Sequence, residues 1–143
     1  MPSLATHFAH LGLGAAATVE PPFDGMDWYQ AYSERHAADG IEGRLVSMHS
    51  FSEGWPSWEV HPHGAELVIC TAGTLILRQE HRDGRSETVT LGPGDYAINP
   101  PGTWHIADLP DGTTATAIFI TPGEGTEHRL RRPGEASPAS SAA

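Results

Sequence analysis

The sequence predicts an all-β barrel, preceded by a short helix and an N-terminal arm, and three observations carry that reading. From residue 41 to residue 121 the apolar residues fall in short runs with period-two alternation, the spacing of half-buried strands. The 16 Gly and 12 Pro residues are scattered between those runs instead of forming a block, so they read as turns. No helical pattern separates the runs, which favours a sandwich or barrel over alternating strands and helices. A chain of 143 residues closes one apolar core without needing a second domain.

In order, residues 1–40 form the arm and helix. Residues 11–17 are weakly apolar but have no basic segment before them, so they read as part of the arm and not as an export signal. Glu20-Pro21-Pro22 sets extended geometry, because proline fixes its own φ and restricts the residue before it. Asp24 or Asp27 then caps a helix over 26–38, where Trp28, Tyr29, Tyr32 and His36 recur every three to four residues and form one face. Asp39-Gly40 stops that helix, which is expected to lie across the outside of the barrel.

The barrel occupies residues 41–122. Its first strand, 41–51, puts Leu45, Ser47, His49 and Phe51 on one side and Val46, Met48 and Ser50 on the other. Strands follow at 57–61, 66–71, 74–82, 87–91, 96–99, 103–107 and 114–121, parted by turn residues. Asp83-Gly84 is the strongest hairpin signal, since the pair tolerates the positive φ of a two-residue turn. Residues 123–143 turn polar and rich in Ser, Ala, Pro and Arg, and are expected to be a disordered tail.

Charge and cysteine usage narrow the partners. A net charge of −10 argues against nucleic acid and against an acidic membrane surface, both of which call for a basic face. The longest apolar run falls well short of the roughly 20 residues a membrane-spanning helix needs. Cys70 is the sole cysteine, so no intrachain disulfide forms and a reducing cytoplasm is the expected location.

The chemistry concentrates in two stretches. Residues 58–66 run Trp58-Glu59-Val60-His61-Pro62-His63-Gly64-Ala65-Glu66, with four possible metal-binding groups ahead of an apolar strand. Residues two apart on a strand face the same way, so Glu59 and His61, and also His63 if the strand continues, project together, while a hairpin partner brings Glu66 beside them. The second stretch, 94–105, ends in His105.

The second stretch resembles the second motif of the cupin superfamily: Gly94, Pro100, Gly102 and His105 fall at that motif's intervals, while Leu109 stands where it ends in Asn. The first motif is matched less literally. His61-x-His63 leaves two residues before Glu66, fewer than the pattern permits, whereas Glu59-x-His61 leaves four and satisfies the interval with Glu in place of the first His. The shifted register is preferred because a one-residue slip would flip the inward side chains.

The resemblance implies a cupin-type jelly-roll barrel around one divalent metal ion, with Glu59, His61, Glu66 and His105 as candidate ligands and His63 as the alternative to Glu59. Two imidazoles and two carboxylates make a mixed nitrogen and oxygen site that suits Fe, Mn, Ni or Zn. Pocket-lining candidates are His49, Trp58, Cys70, Ile98, Trp104 and Phe119, with Val68 and Ile118 on the same wall and Trp55 near the mouth. The superfamily hosts oxygenases, isomerases and sensor domains, so two functions follow as expectations. One is a metal-dependent enzyme, dioxygenase- or isomerase-like, on a small organic substrate; the other is a non-catalytic binding or sensing module. A homodimer is also expected, with the arm crossing between protomers.

Overall fold

The computed structural model of the chain describes residues 1–132 and 135. The elements run β1 (His7–Leu11), β2 (Ala17–Pro22), α1 (Asp27–Arg35), β3 (Arg44–Phe51), β4 (Ser57–Val60), β5 (Glu66–Ala72), β6 (Leu75–Glu80), β7 (Ser86–Leu91), β8 (Tyr96–Asn99), β9 (Trp104–Asp108), β10 (Ala115–Thr121) and β11 (Glu127–Leu130). They form two antiparallel sheets, β2-β1-β3-β10-β5-β8 and β11-β4-β9-β6-β7, in a jelly-roll arrangement. The core lies between them: Val68, Cys70 and Phe119 from the first sheet meet Leu75, Leu77 and Ala107 from the second. In β6 the buried residues Leu75, Leu77 and Gln79 alternate with the less buried Ile76, Arg78 and Glu80, so the sequence pattern fixes which face turns inward.

Four local expectations are corrected. The arm is a β1–β2 hairpin, and β1 also pairs with β3. Phe8 and His10 are buried on one face of β1, a strand signal that the two histidines disguise by reading as polar. The helix is shorter than 26–38: it begins at Asp27, with Met26 at the N-cap and no side-chain cap. Asp27 instead occupies the first turn, where its charge suits the helix dipole. The helix does not lie outside the barrel. Trp28 packs against Phe8 and Leu45 on the core-facing side of the first sheet.

At the expected two-residue hairpin, Gly84 N–H donates to His81 O and His81 N–H to Arg85 O. The loop therefore spans Arg82-Asp83-Gly84, with Gly84 at φ 90°, a three-residue hairpin with its glycine in the left-handed region. Finally, residues 127–130 of the expected tail are strand β11, paired with β4. The disorder expected for residues 133, 134 and 136–143 lies outside the described residues.

Gly73 joins β5 to β6 at φ +73°, and a Cβ there would sit 2.1 Å from the carbonyl oxygen of Thr114. Both the conformation and the space require glycine. Gly73→Ala is expected to destabilise the fold by more than about 1 kcal/mol, read as a lower urea midpoint at unchanged slope; an unchanged midpoint would show the turn can relax. Among the described residues, no helix is long and apolar enough to cross a membrane.

Candidate metal centre

The centre is built where β4, β5 and β9 face one another. In β4, Trp58 and Val60 are turned away, so Glu59 points inward, and His61 follows on the same parity just past the strand. Glu59 pairs directly with His105 of β9 across the second sheet. Glu66 begins β5 in the first sheet and reaches across the interior. One donor atom each from Glu59, His61 and His105 lies within 4.8 Å of the others. Glu66 Oε2 stands 3.2 Å from His61 Nε2, and Oε1 stands 3.1 Å from His105 Nε2. Glu59 Oε2 is 3.7 and 3.9 Å from the same two nitrogens.

His61, Glu66 and His105 are all buried. Buried polar atoms are costly unless partnered, yet His61 Nε2 and His105 Nε2 make no hydrogen bond. The Glu66 oxygens are close enough for charge attraction but lie off the axis a ring N–H bond needs. The opposite ring nitrogens are engaged. Thr126 donates its hydroxyl to Gly123 O at 2.7 Å, so its oxygen accepts from His61 Nδ1–H at 2.8 Å. His105 Nδ1–H donates to Thr103 O at 3.3 Å. With Nδ1 engaged, each ring is held with its Nε2 turned into the cluster, the nitrogen a metal ligand would offer.

Glu66 is oriented in the same way. Asn99 Nδ2 donates to Oε1 at 2.9 Å and Thr121 donates to Oε2 at 2.6 Å, while Gln79 in turn donates to Asn99 Oδ1 at 2.7 Å. Burial alone would raise the Glu66 pKa, but the facing imidazoles of His105 and His61 outweigh it and hold the carboxyl well below the usual range. Burial likewise opposes charge on His105, and the neighbouring Glu66 and Glu59 carboxylates reverse that and raise its pKa. Two carboxylates here face two imidazoles, and charge closes only if protons or a cation are held between them. The orphaned nitrogens, the fixed rings and this balance fit a divalent transition ion with mixed nitrogen and oxygen ligands.

The remaining candidates divide. His63 is exposed in the turn after β4, in a surface hollow with Ile41, Glu42 and Pro122, apart from the cluster. Phe119 is in the interior, its ring 5.8 Å from Trp55, which is 6.2 Å from His105. His49 faces inward beside Phe119 and Phe51; its Nε2 is 3.2 Å from the Tyr29 hydroxyl. Burial lowers the His49 pKa and raises that of Tyr29 to about 12, and Glu59 acts on both. Helix α1 therefore brings Tyr29 to the rim of the centre.

Four wall candidates are misplaced. Ile98 is 54% exposed on the outer side of β8. Trp58 and Trp104 lie on the outer face of the second sheet, where Arg129 stacks on both and Arg78 on Trp58. The parity that sends Glu59 and His105 inward sends their neighbours out. Cys70 faces the core, its thiol directed at the carbonyls of Ala72 and Gly73. Ile118, on the opposite parity to Phe119, also faces outward.

Sequence reading missed the supporting residues. Asn99, Thr121, Thr126 and Gln79 carry no motif signal, although a polar residue on the inward parity of an apolar strand, as at Gln79, is a usable one. His128 was also missed: β11 sets it opposite Glu59, with Nε2 3.4 Å from Glu59 Oε1. Leu109, at the expected Asn position, is buried in the core.

No curated protein matches the chain. Among solved structures, it is similar to an oxalate oxidase, with 16% identity over 58% of this chain and 44% of that one and a TM-score of 0.51. It is similar to Peruvianin-I, described as a cysteine peptidase from Thevetia peruviana latex, with 21% identity over 62% and 57% of the two chains and a TM-score of 0.53. A third likeness is to an oxalate decarboxylase, with 13% identity over 68% and 26% and a TM-score of 0.52. The chain spans 57% or less of these proteins' lengths, and at such identities the likeness concerns the fold alone. Residues 50–121 match the family profile described as the cupin domain, half of the chain; with the jelly-roll sheets and the two motifs, the protein belongs to the cupin superfamily.

Proposed function

We propose that the protein is a small metal-dependent cupin enzyme acting on a small, uncharged organic molecule, with Glu59, His61, Glu66 and His105 holding one Fe, Mn, Ni or Zn ion. The observation that carries the proposal is the pair of buried Nε2 atoms without hydrogen bonds, on His61 and His105, directed at two carboxylates. A bound ion supplies a Lewis acid or a site for O₂ chemistry. The protein's part is positioning: Thr126 and Thr103 fix the imidazoles, and Asn99 and Thr121 fix Glu66.

Charge and shape suggest the substrate class. Two carboxylates neutralise a divalent ion, so the loaded site does not attract a dianion. The chain has no lysine, and the arginines with identified partners bind elsewhere, as with Arg35 on Glu20 and Arg131 on Asp108. The neighbouring wall is made of Trp55, Phe51, Phe119, His49 and Tyr29, which suits a planar, weakly polar molecule. Glu59 is the most exposed of the four groups, its side chain 29% accessible. It stands on the approach, where it can accept a proton from substrate. Tyr29, kept protonated by burial, can donate a hydrogen bond there.

A second reading has one observation in its favour. His61, Glu66 and His105 are almost sealed, at 5%, 3% and 0% exposure, as in a module that binds a ligand without turning it over. O₂ uptake by the Fe(II)-loaded protein with phenols, diketones and thiols separates the two. Uptake with at least one class, lost in Glu59→Gln, is expected. Silence across the panel, with a member still raising the melting temperature, would replace the enzyme by the binding module. The proposal places the protein as a homodimer in the cytoplasm.

A further inference from the structure

A second group of imidazole and carboxylate donors lies where the arm meets helix α1. His10 comes from β1, His36 caps the C-terminal end of α1, and Asp39 sits in the 3-10 helical turns that follow over Ala37–Glu42. One donor atom from each lies within 4.8 Å of the other two, as it does for Glu59, His61 and His105. None of the three belongs to the centre described above.

The backbone is fitted closely around this cluster. Gly12 (φ −100°, ψ −176°) and Gly43 (φ −69°, ψ 141°) have angles open to any residue, so conformation does not call for glycine there. Space does. A Cβ at Gly12 would stand 2.9 Å from Asp39 Oδ2, and one at Gly43 would stand 3.0 Å from both His10 Cε1 and Asp39 Cβ. His10 is 3% exposed, and polar groups are buried in this way only with partners.

Each ring is held at one nitrogen by a group outside the trio. The Tyr32 hydroxyl is 2.6 Å from His10 Nδ1, which leaves Nε2 turned to Asp39 Oδ2 at 2.5 Å. Both Glu20 oxygens are 3.0 Å from His36 Nε2, which leaves Nδ1 as the atom His36 can offer. Glu20 is itself buried and fixed by Arg35 at 2.9 Å. A hydroxyl or carboxylate behind the far nitrogen of a histidine is how metal-binding imidazoles are oriented. Charge points the same way. The His10 contact holds the Asp39 carboxyl below its usual range. Burial opposes ionisation of Glu20, but Arg35 and His36 outweigh it and hold that carboxyl low as well. Two carboxylates thus face one guanidinium, and a proton on a ring or a bound cation makes up the difference.

We propose that His10, His36 and Asp39 form a second metal site, which takes one divalent ion such as Zn(II) and staples the arm to helix α1. Two imidazoles and a carboxylate suit Zn(II), Co(II) or Ni(II), and three protein ligands leave a position for water. Binding needs one movement. The rings are stacked, with centroids 3.6 Å apart and planes 16° from parallel, whereas an ion shared by both lies close to both ring planes. His36, the more accessible ring at 20%, tilts out of the stack. With the ion on His10 Nε2, the ring proton lies on Nδ1 and is donated to the Tyr32 oxygen. This movement and the smaller ligand set make the site weaker than the four-ligand centre, so it empties during purification and fills when metal is added. Because α1 carries Tyr29 to the rim of the first centre, the staple also steadies that residue.

Calorimetric titration of the metal-free full chain with Zn(II) tests the proposal. After a tight first step, a second step of one ion per chain with micromolar affinity is expected. Asp39→Asn, which keeps the side chain's shape, and His36→Ala, at an accessible helix end, are each expected to weaken the second step by more than about 100-fold and leave the first unchanged. His63→Ala is expected to match the wild type. In His105→Ala, which removes the first centre, added Zn(II) is still expected to raise the melting temperature, and the gain is expected to vanish when Asp39→Asn is combined with it. No second step would overturn the proposal and leave the cluster as a brace of hydrogen bonds. A second step indifferent to both Asp39→Asn and His36→Ala would put the ion elsewhere and overturn it too. A missing first step with the second intact would leave this site standing and count against the proposed function.

Discussion

His105→Ala is expected to bring bound metal from about one ion per chain to near none. Removing a group that merely orients a ligand typically costs 10- to 100-fold in affinity, so loss of a ligand should exceed about 100-fold. His105 is fully buried, and its removal leaves His61 facing two carboxylates across a gap that no side chain refills. Glu59→Ala is expected to have a smaller effect, because its side chain is 29% accessible and it stands farther from the two nitrogens than Glu66 does; water can take its place. His63→Ala is expected to change nothing, since His63 is exposed and outside the cluster. Elemental analysis of the three purified variants beside the wild type reads all of this. Full metal content in His105→Ala, or loss in His63→Ala together with retention in Glu59→Ala, would break the proposed ligand set.

The period-two alternation made the barrel strands legible, and β8, residues 96–99, has the expected bounds. Motif spacing set Glu59, His61, Glu66 and His105 apart from the other seven histidines, because turn length and strand parity are local properties of the chain. What escaped was set by long-range pairing. Phe8 and His10 bury one face of β1, but a five-residue strand bearing two histidines has little apolar signal of its own. Strand β11 is four residues of Glu, His, Arg and Leu, and it exists because β4 offers an edge. Trp58 and Trp104 were misassigned for a related reason. A large aromatic beside a motif suggests a pocket, yet alternation puts the neighbour of an inward ligand outside, where arginines cover it. Asn99 and Thr121 are adjacent to Glu66 only after β8 and β10 flank β5, 33 and 55 residues away in sequence.

The second large effect concerns the metal-free protein and its pH dependence. The Glu66 carboxyl is depressed below its ordinary value of 4.5, so its stabilising contribution is present above that value and is lost as pH falls from there towards the folded pKa. His105 is raised above its ordinary 6.5; its contribution is full below that value and is lost as pH rises through the folded pKa. The two overlap between 4.5 and 6.5, so metal-free protein should be most stable there. Glu66→Gln removes both arms, leaving a buried imidazolium without its partner. The cost is about 3–5 kcal/mol at pH 5.5, a fall in melting temperature on the order of 10 °C for a domain of this size. Metal binding reverses the upper slope: an ion would replace the His105 proton, so its affinity rises with pH until that proton is lost. Melting curves across pH 4–8, with EDTA and with added Zn(II), should therefore diverge above pH 6.5, the metal-free curve falling while the gap to the loaded one widens. A metal-free wild type that follows Glu66→Gln throughout would show that the carboxylate and imidazole do not hold a shared proton, and the charge balance that calls for a cation would lose its basis.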